Sequence, residues 1–244
     1  MMKILKLKFV FLAALALLLS GCFADDSVTR NIRVIAQAEV DGKTVEGSAV
    51  MSLRWVSDGK EGGWMQPKSN TEPVILELND KHTIYVLDAY LGVKRGGPNI
   101  SYWTTYVASA LGFNLTVRLS NFPTIKNASG RYPVDASISK TKTMPVMVSF
   151  ADETKRETMF HVTHENFSQK FGSNAKFIGL WFEFTDDPIT EMIEQRLPLM
   201  FQRKVNESYR EKYPLKDKNG NLIPRSERKF PQFFGETAFK KKSF

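Results

Sequence analysis

The chain has three histidines, and two of them share one stretch, His161-Val-Thr-His164-Glu165. This is the one cluster whose residue types suit a metal ion or an acid–base pair. A helical zinc site of the H-E-x-x-H kind sets its histidines four apart, with the glutamate beside the first. Here the histidines are three apart, and Met159, His161 and Thr163 alternate as a strand does. On a strand, positions 161 and 164 face opposite sides. A shared metal would need the strand to end between them, and satisfied edge or surface histidines are the simpler expectation. Two acidic pairs, Asp152-Glu153 and Asp186-Asp187, sit at predicted strand ends. Paired carboxylates do acid–base work when a fold holds them at the right separation. Asp152 equally suits a turn after a strand, and Asp187 a helix N-cap. His161, His164 and Asp152 are therefore the catalytic candidates, each with a structural duty that would also explain it. The remaining chemically distinctive residue is Cys22, a thiol nucleophile and the only cysteine, which excludes an intrachain disulfide.

The setting of Cys22 is informative. Lys3, Lys6 and Lys8 form a basic start, an unbroken apolar stretch runs from Phe9 to Leu19, and small residues follow. These are the zones of an export signal. The apolar run is shorter than the roughly 18 residues expected of a membrane-spanning helix. Leu19-Ser20-Gly21-Cys22, placed after that run, resembles the lipobox of bacterial lipoproteins. The resemblance implies removal of residues 1–21 and a lipid attached at Cys22. It implies an envelope address, with Phe23 rather than Asp after the cysteine pointing to the outer membrane, facing the periplasm. Cleavage after Ala24, in an ordinary small-x-small pattern, is the alternative. Several acyl chains hold a protein at a membrane where one does not. Five N-x-S/T sequons, at Asn99, Asn114, Asn127, Asn166 and Asn206, are read as chance beside such a leader.

Charge divides the chain unevenly. The net charge is +8, and loss of the three leader lysines leaves +5. Residues 202–244 hold twelve Lys or Arg and five Asp or Glu, so the body from 22 to 201 is slightly acidic. A basic segment beside a membrane favours anionic lipid, lipopolysaccharide or cell-wall polymer, and in the envelope nucleic acid is not expected. A solvated basic tail is the plainer alternative. Five of its last sixteen residues are Phe. They suit either an interfacial surface or a closing strand packed on the body, and the second is favoured because so many rings are costly to leave in water.

The pattern of apolar residues predicts the elements. Ile32 to Val40 alternates with period two, Asp41-Gly42 is a hairpin signal, and Val45 to Trp55 alternates back. Val74–Leu78 and Thr83–Leu87 form a second hairpin around Asn79-Asp80-Lys81. Residues 57–72 and Gly92 to Pro98 read as loops, with Trp64 and Met65 able to dip into the core. Trp103 to Leu111 carries a helical stripe ended by Gly112, and Leu115, Val117 and Leu119 suggest a strand. Residues 120–143 read as turn-rich. Strands resume at 146–150, 158–163 and 177–184, and a helix follows with Asp187 as N-cap, Pro188 in its first turn, and Ile189, Met192, Ile193 and Leu197 on its packing face. Lys218-Asn-Gly-Asn221 reads as a turn, and Asp217 fails the spacing of a calcium loop. The expected class is α+β and β-rich, with antiparallel hairpins in a sandwich-like or twisted sheet and two short helices. The expected organisation is a tether at 22–29, a globular unit at 30–200, and a basic aromatic segment at 201–244.

The Asp41-Gly42 hairpin, Glu72-Pro-Val-Ile-Leu-Glu-Leu78, Met144-Pro-Val-Met-Val-Ser-Phe-Ala-Asp152, Phe171-Gly172 and Phe184-Thr-Asp-Asp-Pro-Ile-Thr190 with Leu197-Pro198 resemble a group of uncharacterised proteobacterial envelope proteins. The group carries no activity to transfer, but it implies that most of 30–200 is one unit. No nucleophile-elbow, Walker or dinucleotide-binding motif is present, and nothing calls for a metal or cofactor. The leading expectation is a lipid-anchored envelope protein with a binding or structural role and a possible protein partner. A hydrolase of cell-wall or sugar polymers and a periplasmic carrier of small or lipidic ligands are the alternatives.

Overall fold

A computed structural model describes residues 27–57, 66–91, 98–100, 102–113, 117–137, 144–201, 239 and 241–242. The leader, Cys22, Trp64, Met65, residues 92–97, Leu115 and the 218–221 turn lie outside them.

The fold begins with a long hairpin. β1 (Ser27–Val40) and β2 (Lys43–Val56) pair along their whole length, from Ser27 opposite Val56 to Val40 opposite Lys43. Asp41 and Gly42 both take positive φ, at 50° and 75°, the geometry that a two-residue hairpin turn needs to match strand twist. β1 also pairs antiparallel with β11 (Ala175–Thr185), whose far edge carries the short β8 (Arg131–Pro133). On the other side β2 pairs with β3 (Gln66–Thr71), and β12 (Lys241–Lys242) closes that edge. The result is a six-stranded sheet in the order β12-β3-β2-β1-β11-β8.

A second sheet has four strands, β10-β9-β5-β4. β4 (Val74–Asn79) and β5 (His82–Val86) are the second predicted hairpin; β9 (Met147–Phe150) and β10 (Met159–Val162) form a third. A two-stranded pair, β6 (Ala89–Leu91) and β7 (Pro98–Ile100), leads to α1 (Tyr102–Ala110). The β-rich α+β class is as expected.

The two sheets face each other over one core that includes Ile32, Val34, Met51, Leu53, Trp55, Leu76, Trp103 and Phe182. They come closest at β2 and β4. A Cβ on Gly47 would lie 2.0 Å from the Ile75 carbonyl oxygen, so only glycine permits this approach. The four-stranded sheet is buried on its outer face too. Tyr85, Val148, Phe150 and Met159 are covered there by Ile193, Leu197, Met200 and Phe239. Burial on both faces is why Thr83 to Val86 of β5 and Met147 to Phe150 of β9 are buried at every position rather than alternately.

Several expectations change. Part of the 57–72 loop is β3. The 120–143 stretch contains α2 (Phe122–Asn127) and β8, and Leu119 begins a 3-10 turn rather than ending a strand. α3 (Phe167–Phe171) was not predicted. The helix expected from Asp187 forms only at α4 (Ile193–Arg196), followed by α5 (Pro198–Phe201). Asp187 is occupied elsewhere: its carboxylate accepts from the Thr185 hydroxyl and from Arg33. Where β3 ends, the Thr190 N–H donates to the Val50 carbonyl and the Thr190 hydroxyl accepts from the Val50 N–H, which keeps this stretch extended beside β2. The helix is instead capped from a distance. Glu72, only 3% exposed, accepts from the Met192 and Ile193 N–H groups at 2.7 and 3.0 Å. A carboxylate at that end also meets the helix dipole.

The aromatic tail meets the body at Phe239 and at β12. Phe239 is 1% exposed and packs against Tyr85 and Phe150, with ring centroids 6.2 and 6.3 Å away. Together with β12, this is the closing-strand arrangement rather than a ring left at an interface.

Candidate functional site

Gly47 closes one seam between the sheets, and the opposite seam stays open. There the edge strands are β8 of one sheet and β10 of the other. β8 is short, so β11 loses its neighbour after Trp181 pairs with Pro133. The last tie is the Val134 N–H, which donates to the Leu180 carbonyl at 2.8 Å. Beyond that point β11 carries a bulge: Gln37 pairs with Gly179 and Ala38 with Phe177, leaving Ile178 out of register. The bulge is why Phe177 and Leu180, three apart, can both be buried while Ile178 is 41% exposed.

A cleft of about 790 Å³ opens along this seam. Its apolar wall includes Ile178, Leu180, Trp181, Met144, Met147 and Val134. The Trp181 ring is held from two sides. The Arg131 guanidinium lies 4.9 Å from its centroid, and its Cη2 reaches over Gly179, where a Cβ would be 3.1 Å away.

The polar groups of the cleft come from two turns. Asp135 follows β8. The Tyr106 hydroxyl fixes this exit from α1, donating to the Pro133 carbonyl at 2.9 Å and accepting from the Asp135 N–H at 2.7 Å. The Asp135 carboxylate accepts from the Ser137 N–H at 2.7 Å, and the bonds from Ser137 hold its pKa below the ordinary range. On the other wall β10 stops at Val162, because Asn166 captures the chain. Asn166 Oδ1 accepts from the Thr163 N–H, and its Nδ2 donates to the His161 carbonyl. The strand thus ends between the two histidines, and His161, His164 and Glu165 all line the one cleft. Burial lowers the His161 pKa against the opposing pull of Glu165. The Glu165 carboxyl is held low, chiefly by the Thr163 side chain. The same contacts give Asn166 of its sequon a structural task.

Asp152 does not line this cleft. It belongs to the β9–β10 turn, where the Thr154 N–H donates to it and Lys155 lies 2.8 Å away. The Lys155 ammonium first, and Thr154 next, bring its pKa to about 2. Its neighbour Glu153 accepts from the Tyr85 hydroxyl at 2.7 Å and faces Arg196. Among the described residues no group of three or more His, Cys, Asp or Glu side chains is placed to hold a metal ion. The cleft's main features, the Ile178 bulge and Asp135, were not anticipated from the sequence. The only advance signal was Gly179 inside a strand pattern, a mark of a bulge or a close approach.

The fold and site therefore define a β-rich, two-sheet α+β protein with one seam closed by glycine and one open as an apolar cleft with carboxylates and imidazoles. The chain matches no family model, no curated protein and no solved structure.

Proposed function

We propose that this is a lipid-anchored envelope protein whose body binds a small, largely apolar ligand in the cleft between its sheets. The observation that carries the binding reading is the cleft itself. Its volume, about 790 Å³, falls in the range of small-molecule sites, and its wall is mostly apolar with a few convergent polar groups. The anchoring half of the proposal rests on the lipobox-like Leu19-Ser20-Gly21-Cys22 after its apolar run. Together they describe a carrier or receptor held at a membrane, facing the periplasm. Of the other readings, the hydrolase has less support, because Asp152 stands apart from His161 and His164.

Two measurements test the two halves. Metabolic labelling with an alkyne fatty acid in a bacterial host should mark the wild-type chain and not Cys22→Ala; equal labelling overturns the anchor. Soaking with an apolar fluorophore should give emission that Ile178→Trp, which fills the cleft from its exposed wall, suppresses. Emission unchanged by Ile178→Trp overturns the cleft as the binding site.

A further inference from the structure

The ligand's chemical class can be narrowed from the charges lining the cleft. Four titratable side chains line it: Asp135 after β8, and His161, His164 and Glu165 at the end of β10. The lining among the described residues includes no Lys or Arg. The carboxylates come one from each sheet's edge, so a ligand in the seam lies between them. Each is engaged on its own turn, Asp135 by Ser137 and Glu165 by Thr163, and those bonds favour the ionised form. His161 is disfavoured as a cation by its burial. At neutral pH the site is thus an apolar trough with net negative polar groups. Arg131, outside the lining, is stacked on Trp181. The body from 22 to 201 is itself slightly acidic, which adds to the same bias.

We propose that the cleft takes an amphiphile with a protonated amine, its apolar part against Ile178, Leu180, Trp181 and the two methionines, and its ammonium between Asp135 and Glu165. The inference rests on the cleft reading above. An ammonium there makes charge-assisted hydrogen bonds to two carboxylates, whereas a carboxylate ligand meets like charge.

The test uses three probes of equal apolar size: phenylbutylamine, phenylbutanol and phenylpentanoate. Each is titrated calorimetrically into the full chain held in lipid nanodiscs, with empty nanodiscs subtracted. The amine should bind about tenfold more tightly than the alcohol, the scale of one charge-assisted bond, and the acid most weakly. Asp135→Asn combined with Glu165→Gln should bring the amine to the alcohol's affinity and leave the alcohol unchanged; thermal unfolding confirms that the variant is folded. If that variant fails to fold, the order of the three probes on the wild-type chain decides alone. Equal affinities, or the acid binding tightest, overturn the amine while leaving the cleft as a binding site. Absence of binding by all three overturns both.

Discussion

At the scale of single residues, the side chains with the most distinctive chemistry divide between the cleft and the frame. His161 belongs to the cleft, and its titration is readable as stability. Burial lowers its folded pKa below the ordinary value of 6.5. The unfolded chain therefore binds the proton first as pH falls. Stability from this group is complete above about pH 6.5 and is lost as pH drops toward the folded pKa. Denaturant titrations across this range should show a decline on acidification that is smaller in His161→Gln; parallel curves for the two proteins would remove the assignment. Glu72 belongs to the frame. It is buried, and its carboxylate accepts from the Met192 and Ile193 N–H groups at the start of α4. Truncation leaves those donors without that acceptor, so Glu72→Ala should lower unfolding free energy by about 2–3 kcal/mol, and Glu72→Gln by less. Equilibrium urea unfolding measures both, and equal losses would mean that the charge at the helix end contributes nothing.

At the scale of elements, what was legible in the sequence was local. The Asp41-Gly42 turn states its own geometry, and the alternation on either side states which face is buried, so β1 and β2 could be placed to within a few residues. The β4–β5 hairpin is legible for the same reason. Elements whose structure depends on distant partners were not. β3 is polar, Gln66-Pro-Lys-Ser-Asn-Thr71, and becomes a strand because β2 offers it a ladder. Its Ser69 and Thr71 hydroxyls donate to the buried Asp88 carboxylate, which also accepts from the Trp103 N–H and so ties β3 to α1. Asp187 had the residue type of a cap but was claimed by Arg33 on β1, 154 positions away. The cleft was illegible because it lies at a junction: two strand ends from different sheets and a bulge that no apolar period announces. His161 and His164 were recognised as a cluster, and the condition for their sharing a site, a strand end between them, is met through Asn166. Gly47 is the element-scale counterpart. It lies within the alternating pattern from Val45 to Trp55, and the backbone of β4 passes where its side chain would stand. Gly47→Ala must part β2 from β4 and should cost about 3 kcal/mol or more, read as a lowered melting temperature. A stability equal to wild type would show that the seam is loose. Gly42→Ala, strained by its φ of 75° but open in space, should cost less, about 1 kcal/mol.

At the scale of the whole molecule, the C-terminal segment combines packing and charge, and the two can be separated. Phe239 fills the outer face of the four-stranded sheet beside Tyr85 and Phe150, and residues 241–242 pair with Thr71 and Asn70 at the edge of the six-stranded sheet. The chain thus returns to join both sheets. Phe239→Ala should cost about 3 kcal/mol of stability, as for a buried ring, measured by denaturant unfolding. The positive charge of 202–244 is a different property, which we propose serves attraction to an anionic surface. Deleting the segment cannot test this, because it removes Phe239 and β12 along with the lysines. Replacing Lys240, Lys241 and Lys242 by Gln keeps the strand's backbone donors and acceptors and removes three charges. Each lysine near an anionic leaflet contributes about 1 kcal/mol, so sedimentation with phosphatidylglycerol vesicles should weaken by on the order of 100-fold at low salt. The wild-type interaction should itself fade as ionic strength rises and the screening length shortens. If the triple variant binds as the wild type does while Phe239→Ala binds less, attachment depends on the packed shape of the tail rather than on its charge, and the basic segment is a solvated surface.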